Sequence, residues 1–180
     1  DSLSYVAVQF ADQCWMAEKL NVGEMIIDTN NQTIDSDIEK YCWNNEESYC
    51  NTEGGLYQWD EAMYYNYQEF NHQGICPDGW HIPSNAEWTE LIDYVVANPD
   101  YNSDGCDVTD GYTAKALASN YGWQSHTTAC AIGNNQETNN AAGFNALPAG
   151  YRYWSTGAFD LRGSVAFFWT SSFIYNFPSY

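Results

Sequence analysis

Gly74-Ile75-Cys76-Pro77-Asp78-Gly79-Trp80-His81-Ile82-Pro83-Ser84-Asn85-Ala86-Glu87 is the stretch from which the rest of the chain is read. Its last four residues make a capping box, in which Ser84 caps a helix and Glu87 returns the bond. Behind the box, Trp88, Leu91, Ile92 and Val95 set out one apolar face that stops before Asn98-Pro99, so a helix is expected there. His81 lies inside the Gly-Trp-His-Ile-Pro turn, where a structural imidazole is favoured over a catalytic one.

Working outward, Tyr5-Val6-Ala7-Val8-Gln9-Phe10 alternates loosely and reads as a strand, followed by Cys14-Trp15-Met16. Leu56, Trp59 and Met63 have helical spacing after a Gly54-Gly55 entry. From Asp100 to Asn140 the chain is polar, Gly-broken and Asn-rich, with one short helical turn at Ala114–Ala118. The segment from Gly143-Phe144 to Ser172 alternates apolar runs with Gly and Ser turns, as β-hairpins do. A single α+β domain over residues 1–180 is expected, with short strands, two helices and long loops.

The formal net charge of −19, with five Lys and Arg against 24 Asp and Glu, excludes nucleic acid, which needs a basic footprint. Anionic membrane surfaces are excluded for the same reason, and no apolar run reaches the length of a membrane span. Six cysteines stand at 14, 42, 50, 76, 106 and 130, without a zinc-type cluster. Cys42 and Cys50 bracket the polar loop Trp43–Tyr49 and suit a disulfide; Cys106–Cys130 and Cys14–Cys76 complete the preferred set, although other pairings are formally open. Disulfides imply an oxidising setting, hence a secreted or surface-displayed chain.

Residues 138–180 differ in composition from everything before them. They contain no Glu, Gln, Lys or Met, where the density of residues 1–137 would give roughly eight. Aromatics crowd the same stretch, from Tyr151, Tyr153 and Trp154 to Phe177 and Tyr180. Rigid aromatics in place of flexible side chains suit a binding surface, because they lose little entropy on contact; an aromatic β core would also lack Lys and Glu. Asp100-Tyr101-Asn102-Ser103-Asp104-Gly105 starts like a calcium loop, but Gly111 stands where the closing Glu belongs. An Asx-rich turn is the simpler reading. No cofactor is expected, and calcium at this loop is the only candidate.

Seven motifs in order resemble the Fibrobacter succinogenes major paralogous domain. They are Cys14-Trp15-Met16-Ala17-Glu18-Lys19-Leu20-Asn21, Tyr41-Cys42-Trp43-Asn44-Asn45 with Cys50, Gly55-Leu56-Tyr57-Gln58-Trp59-Asp60-Glu61-Ala62, the Gly74–Ser84 string, Glu87-Trp88, Gly143–Arg152, and Phe168-Trp169-Thr170-Ser171-Ser172. The resemblance implies a C-type lectin-like fold of the branch shared with formylglycine-generating enzymes, with small antiparallel sheets. It places Trp15, Trp59, Trp80, Trp88, Trp123 and Trp169 in the framework. Family members usually run on to a closing G-F-x-V-R-C strand, whereas this sequence ends at Tyr180, so that strand is either absent here or replaced by another segment.

Domains of this kind serve as variable proteins of diversity-generating retroelements, in which template adenines are randomised. A randomised Asn codon cannot give Glu, Gln, Lys, Met or Trp, and codons for the first four are themselves lost, which matches the tail. Trp154 fits neither the motif nor the randomisation. Removing the framework (Gly157, Phe159, Gly163, Ser164, Ala166, Phe168, Thr170, Ser171, Ser172) leaves Tyr153, Ser155, Asp160, Leu161, Arg162, Val165, Phe167, Phe173, Ile174, Tyr175, Asn176, Phe177 and Pro178 as partner-reading positions. Trp169, Phe144 and Phe159 are expected to be buried. The implied partner is a protein or other macromolecule on a target surface, met outside the cell or on a virion. No catalytic residue is expected: formylglycine-generating enzymes use late cysteines, and none follows Cys130. Paired carboxylates such as Asp60-Glu61 are adjacent in sequence with nothing to hold them across a cleft. A carbohydrate-binding lectin is the other alternative, although the Glu-Pro-Asn and Gln-Pro-Asp calcium signatures are lacking.

Overall fold

In the computed structural model, which describes residues 4–66, 73–102, 104–107 and 111–172, the chain opens on an antiparallel hairpin. Strands β1 (Ala7–Phe10) and β2 (Gln13–Met16) pair with Val8 opposite Trp15 and Gln9 opposite Cys14. Next come β3 (Glu24–Met25) and β4 (Glu39–Lys40), which pair in parallel, then helices α1 (Glu47–Glu53) and α2 (Trp59–Ala62). Helices α3 (Asn85–Ala97) and α4 (Tyr112–Leu117) precede a last antiparallel pair, β5 (Tyr151–Arg152) with β6 (Phe159–Asp160). The architecture is α+β with small sheets, as expected. It departs from expectation in having four helices among the described residues and in the parallel β3–β4 pair.

The capping box forms as read. Ser84 Oγ accepts the Glu87 N–H at 3.3 Å, and the Glu87 carboxylate accepts the Ser84 N–H at 2.7 Å. Leu91 and Val95, one turn apart on α3, are fully buried, whereas Ile92 turns to solvent. The polar loop between Cys42 and Cys50 is wound rather than irregular: a 3₁₀ turn at Trp43–Asn45 leads into α1, with Glu47 in its first turn favoured by the helix dipole. Gly54 therefore ends a helix and does not begin one. At φ +80° it sits where a Cβ would come within 2.4 Å of Lys19 Cβ. Leu56 is not helical either, because its backbone bridges Tyr41 through two hydrogen bonds of 2.9 Å; α2 starts only at Trp59.

The main core joins the hairpin, α3, α4 and the Ala142–Ala146 segment, with Phe10, Trp15, Leu91, Val95, Tyr112, Ala116 and Phe144 buried together. Trp15 lies 4.6 Å from Trp88, ring centre to ring centre, and Trp88 lies 5.3 Å from Phe168. Phe144 closes the group at 5.6 Å from Phe168. Aromatic pairs at these spacings contribute about 0.5–1.5 kcal/mol each beyond the area they bury.

Cys42–Cys50 and Cys106–Cys130 are bonded. Cys14 and Cys76 are free thiols, which corrects the third expected pair. Strand alternation supplies the reason: Trp15 is turned into the core, so its neighbour Cys14 faces water, while Cys76 is half-buried. Burial pushes the Cys76 thiol up to about 11.

All five cations are engaged. Lys40 pairs with Glu47 at 2.9 Å, and buried Lys115 pairs with Asp104 at 3.0 Å. Arg162 pairs with Glu53 and stacks on Tyr49, and Arg152 lies 4.1 Å over the Tyr41 ring. Lys19 approaches the Phe168 ring at 5.4 Å, and burial pulls its ammonium down to about 8. A buried carboxyl completes the picture: Glu61 is 1 % exposed and accepts the Glu39 N–H at 2.8 Å. Burial raises its pKa, and the nearby charges of Glu39 and Asp35 push the same way.

A carboxyl whose pKa is raised on folding favours the folded state most at low pH and loses that contribution as pH climbs through the folded value. Glu61→Gln keeps the acceptor oxygen without the charge. Its melting temperature should rise relative to the wild type as pH goes from 4.5 to 7.5, and a difference that stays flat would remove Glu61 as the cause. In peptide mapping of the native protein, iodoacetamide at pH 8 should label Cys14 fast and Cys76 slowly, leaving the other four cysteines as the two bonded pairs.

Candidate binding face

The segment after Phe144 is laid down by hydrogen bonds that use framework atoms. Gly163 N–H donates to Pro148 O at 2.8 Å, and Gly150 N–H donates to Val165 O at 3.1 Å. The Trp-Thr-Ser-Ser run is fastened from the other side: Trp59 Nε1 donates to Thr170 O at 2.9 Å, Ser171 N–H to Pro83 O at 2.9 Å, and Asn85 N–H to Ser172 Oγ at 2.9 Å. Trp169 Nε1 donates to Tyr57 O at 2.8 Å. These bonds use backbone atoms, indoles and a serine; Val165 takes part only through its backbone oxygen, which any residue there would supply.

Most of the described positions interleaved with that scaffold face outward, and so do Ser164, Phe168 and Trp169 of the scaffold itself. Phe167 is 64 % exposed and Leu161 42 % exposed, and Tyr153, Ser155, Asp160 and Arg162 are exposed as well. Val165 is half-buried. Tyr151 joins the aromatic members, with its ring 4.8 Å from Tyr153 and 5.6 Å from Phe167. The hydrogen bond with Tyr153 pushes the Tyr151 phenol up to about 12. Arg162 is exposed but committed, its guanidinium forked onto Glu53. Phe173, Ile174, Tyr175, Asn176, Phe177 and Pro178 lie outside the described residues.

Leu161 carries a backbone oddity. Its φ is +58°, a left-handed conformation that suits Gly, Asn or Asp and strains a leucine. The turn is set around it: Asp160 Oδ1 accepts the Leu161 N–H at 2.7 Å, and Leu161 O accepts from Ser164 N–H at 2.9 Å.

Among the expected framework aromatics, Phe144 is buried and Phe159 is half-buried against Trp43, 5.4 Å away. Trp169 departs from expectation at 47 % exposed; it is held by its indole N–H rather than by enclosure. Trp15 and Trp123 are buried, and Trp59, Trp80 and Trp88 are half-buried. His81 bonds Glu87 Oε1 at 2.8 Å, which fits its structural reading. Burial alone would raise the Glu87 pKa, but hydrogen bonds from Ser84 and His81 hold it below the ordinary value. At the calcium-like loop, Asn102 Oδ1 accepts the Cys106 N–H at 2.8 Å and Asp104 is paired with Lys115. Those oxygens serve an Asx turn and an ion pair, and Ser103 lies outside the described residues.

One feature was not read from the sequence. Trp154 is 76 % exposed and stands at the rim of a polar pocket of about 230 Å³ between residues 28–31 and 152–157. Arg152 fixes the two walls, its Nε donating to Asp28 O at 3.0 Å and its Nη2 to Asn30 O at 3.2 Å. Gly157, at φ +75°, comes so close that a Cβ would lie 2.3 Å from Asp28 O. The only sequence signal was Trp154 itself, a tryptophan that belonged to no motif. Gly157→Ala should therefore push the walls apart and lower the melting temperature by several degrees, whereas Ser155→Ala, at an exposed position, should leave it within about 2 °C.

Nothing among the curated proteins and nothing among the solved structures matches the chain. The family model of the Fibrobacter succinogenes major domain matches residues 8–176, and the chain belongs to that family.

Proposed function

We propose that this chain is a non-enzymatic, displayed ligand-binding domain of C-type lectin-like fold whose 138–180 segment is a diversified surface, as in the variable proteins of diversity-generating retroelements. The partner is a protein or other macromolecule met outside the cell or on a virion. The two disulfides favour such an oxidising setting, and no helix among the described residues is long and apolar enough to cross a membrane.

The observation that carries this reading is Leu161. A leucine in a left-handed conformation costs on the order of 1–2 kcal/mol, and this one recovers little of that by burial because it faces solvent. Stability does not account for the residue at that position. A randomised Asn codon does: Asn is the non-glycine residue most at ease at positive φ, so a turn built for Asn tolerates what the codon becomes. Phe167 and Tyr153 on the same exposed face make a patch that contact with a partner would cover. The interleaving of anchored and outward positions lets side chains change without disturbing the core.

Leu161→Asn should raise the melting temperature by up to roughly 2–8 °C, since relief of about 1–2 kcal/mol moves a domain of this size by roughly 2–4 °C per kcal/mol. Replacing Tyr153, Leu161 and Phe167 together by Ser should leave the domain folded, at a cost of about 1–3 kcal/mol from the two lost ring contacts with Tyr151. Phe144→Ala should cost about 3–5 kcal/mol. If the triple variant is destabilised as severely as Phe144→Ala, the face is core and the proposal fails. Sequencing the encoding locus supplies the second check. A near-identical template repeat is expected, differing only at adenines in the codons of the outward positions; differences spread over other bases would count against it.

A further inference from the structure

The geometry points to a second site, adjoining the proposed diversified face through Ser155: the pocket beside Trp154 binds one pyranose ring of a neutral glycan, without calcium. At about 230 Å³ the pocket is smaller than the roughly 300–1,000 Å³ typical of drug-sized ligands. That is room for a single sugar ring. Its lining is polar: Asp28, Thr29, Asn31, Ser155 and Thr156 offer carboxylate, amide and hydroxyl groups that suit a ring of hydroxyls acting as both donor and acceptor. The Trp154 indole at the rim offers a flat apolar face, against which the C–H face of a pyranose packs while its hydroxyls turn to the polar wall.

The site is built rather than incidental. Tyr153 N–H donates to Ala158 O at 2.8 Å and Gly157 N–H to Tyr153 O at 2.9 Å, which sets the turn that carries the indole. The opposite wall is held by the Asp28 N–H, which donates to Asn45 Oδ1 at 2.8 Å, and by the Arg152 bonds to Asp28 O and Asn30 O. A pocket whose walls are fixed before binding loses less on ordering its ligand.

Charge decides which sugars fit. Among the described residues Arg152 is the only cation in the lining, and it is spent on two carbonyls and the Tyr41 ring. It is therefore a poor seat for an anion, and a chain of net charge −19 repels one at long range. Neutral hexosides are the ligand class; sialic and uronic acids are not.

The whole chain would be titrated in EDTA with methyl β-D-glucopyranoside, methyl β-D-galactopyranoside and methyl α-D-mannopyranoside, following the Trp154 indole N–H by NMR. At least one glycoside should shift that resonance saturably. Trp154→Ala and Asp28→Asn should each weaken binding about tenfold or more, the equivalent of about 1.4 kcal/mol, with melting temperatures unchanged. Sialic acid should bind at least about tenfold more weakly than the best hexoside. Leu161→Ser with Phe167→Ser should leave the titration intact, so failure of the diversified face and failure of this pocket are told apart. The proposal is overturned if none of the three glycosides moves the indole, if Trp154→Ala binds as well as the wild type, or if binding needs calcium.

Discussion

The indole of Trp88 lies between Trp15 and Phe168, and the C-terminal segment takes its position from that contact. Trp15 belongs to the N-terminal hairpin, Trp88 to the first turn of α3, and Phe168 to the run that ends the described chain. Once the three rings are packed, tilted against one another, the hydrogen bonds from Trp59, Ser171 and Asn85 need reach only a few ångströms to fasten the backbone on either side. The sheets are too short to organise the molecule, with β3 to β6 two residues each, so aromatic packing takes the place of a ladder.

That arrangement explains why local signals were legible to different depths. The capping box and the first strand appeared where they were read, because each is settled by residues near one another in sequence; the pairing of that strand with Gln13–Met16 was not read. Two of the three expected disulfides formed for a related reason, since their cysteines bracket loops. Leu56 was misread as helical because its spacing to Trp59 and Met63 fits a helix, while its bridge to Tyr41 is a tertiary matter that periodicity does not carry. Ile92 failed in the same way: the face of α3 is narrower than its apolar residues suggest.

Composition had marked the segment that carries the exposed aromatics, but exposure there does not alternate with the motif: Phe168 and Trp169 of the framework are as open as Leu161. Trp169 shows where motif membership stops predicting burial, because its indole is anchored through one N–H while much of its surface stays wet. The pocket depends on residues 28–31 meeting residues 152–157, two stretches more than a hundred positions apart in the chain. Nothing local to either stretch announces the other.

The engagement of every lysine and arginine has a consequence for how copies of the molecule meet. With the positive charges drawn inward or paired, the outer surface presents acid almost alone. Two identical copies repel once they come within about a Debye length, about 8 Å at physiological salt. A densely displayed array would therefore stay spaced, each aromatic face kept from its twin and open to something less acidic. Raising the ionic strength shortens that range, so crowding and self-adhesion should set in first in brine.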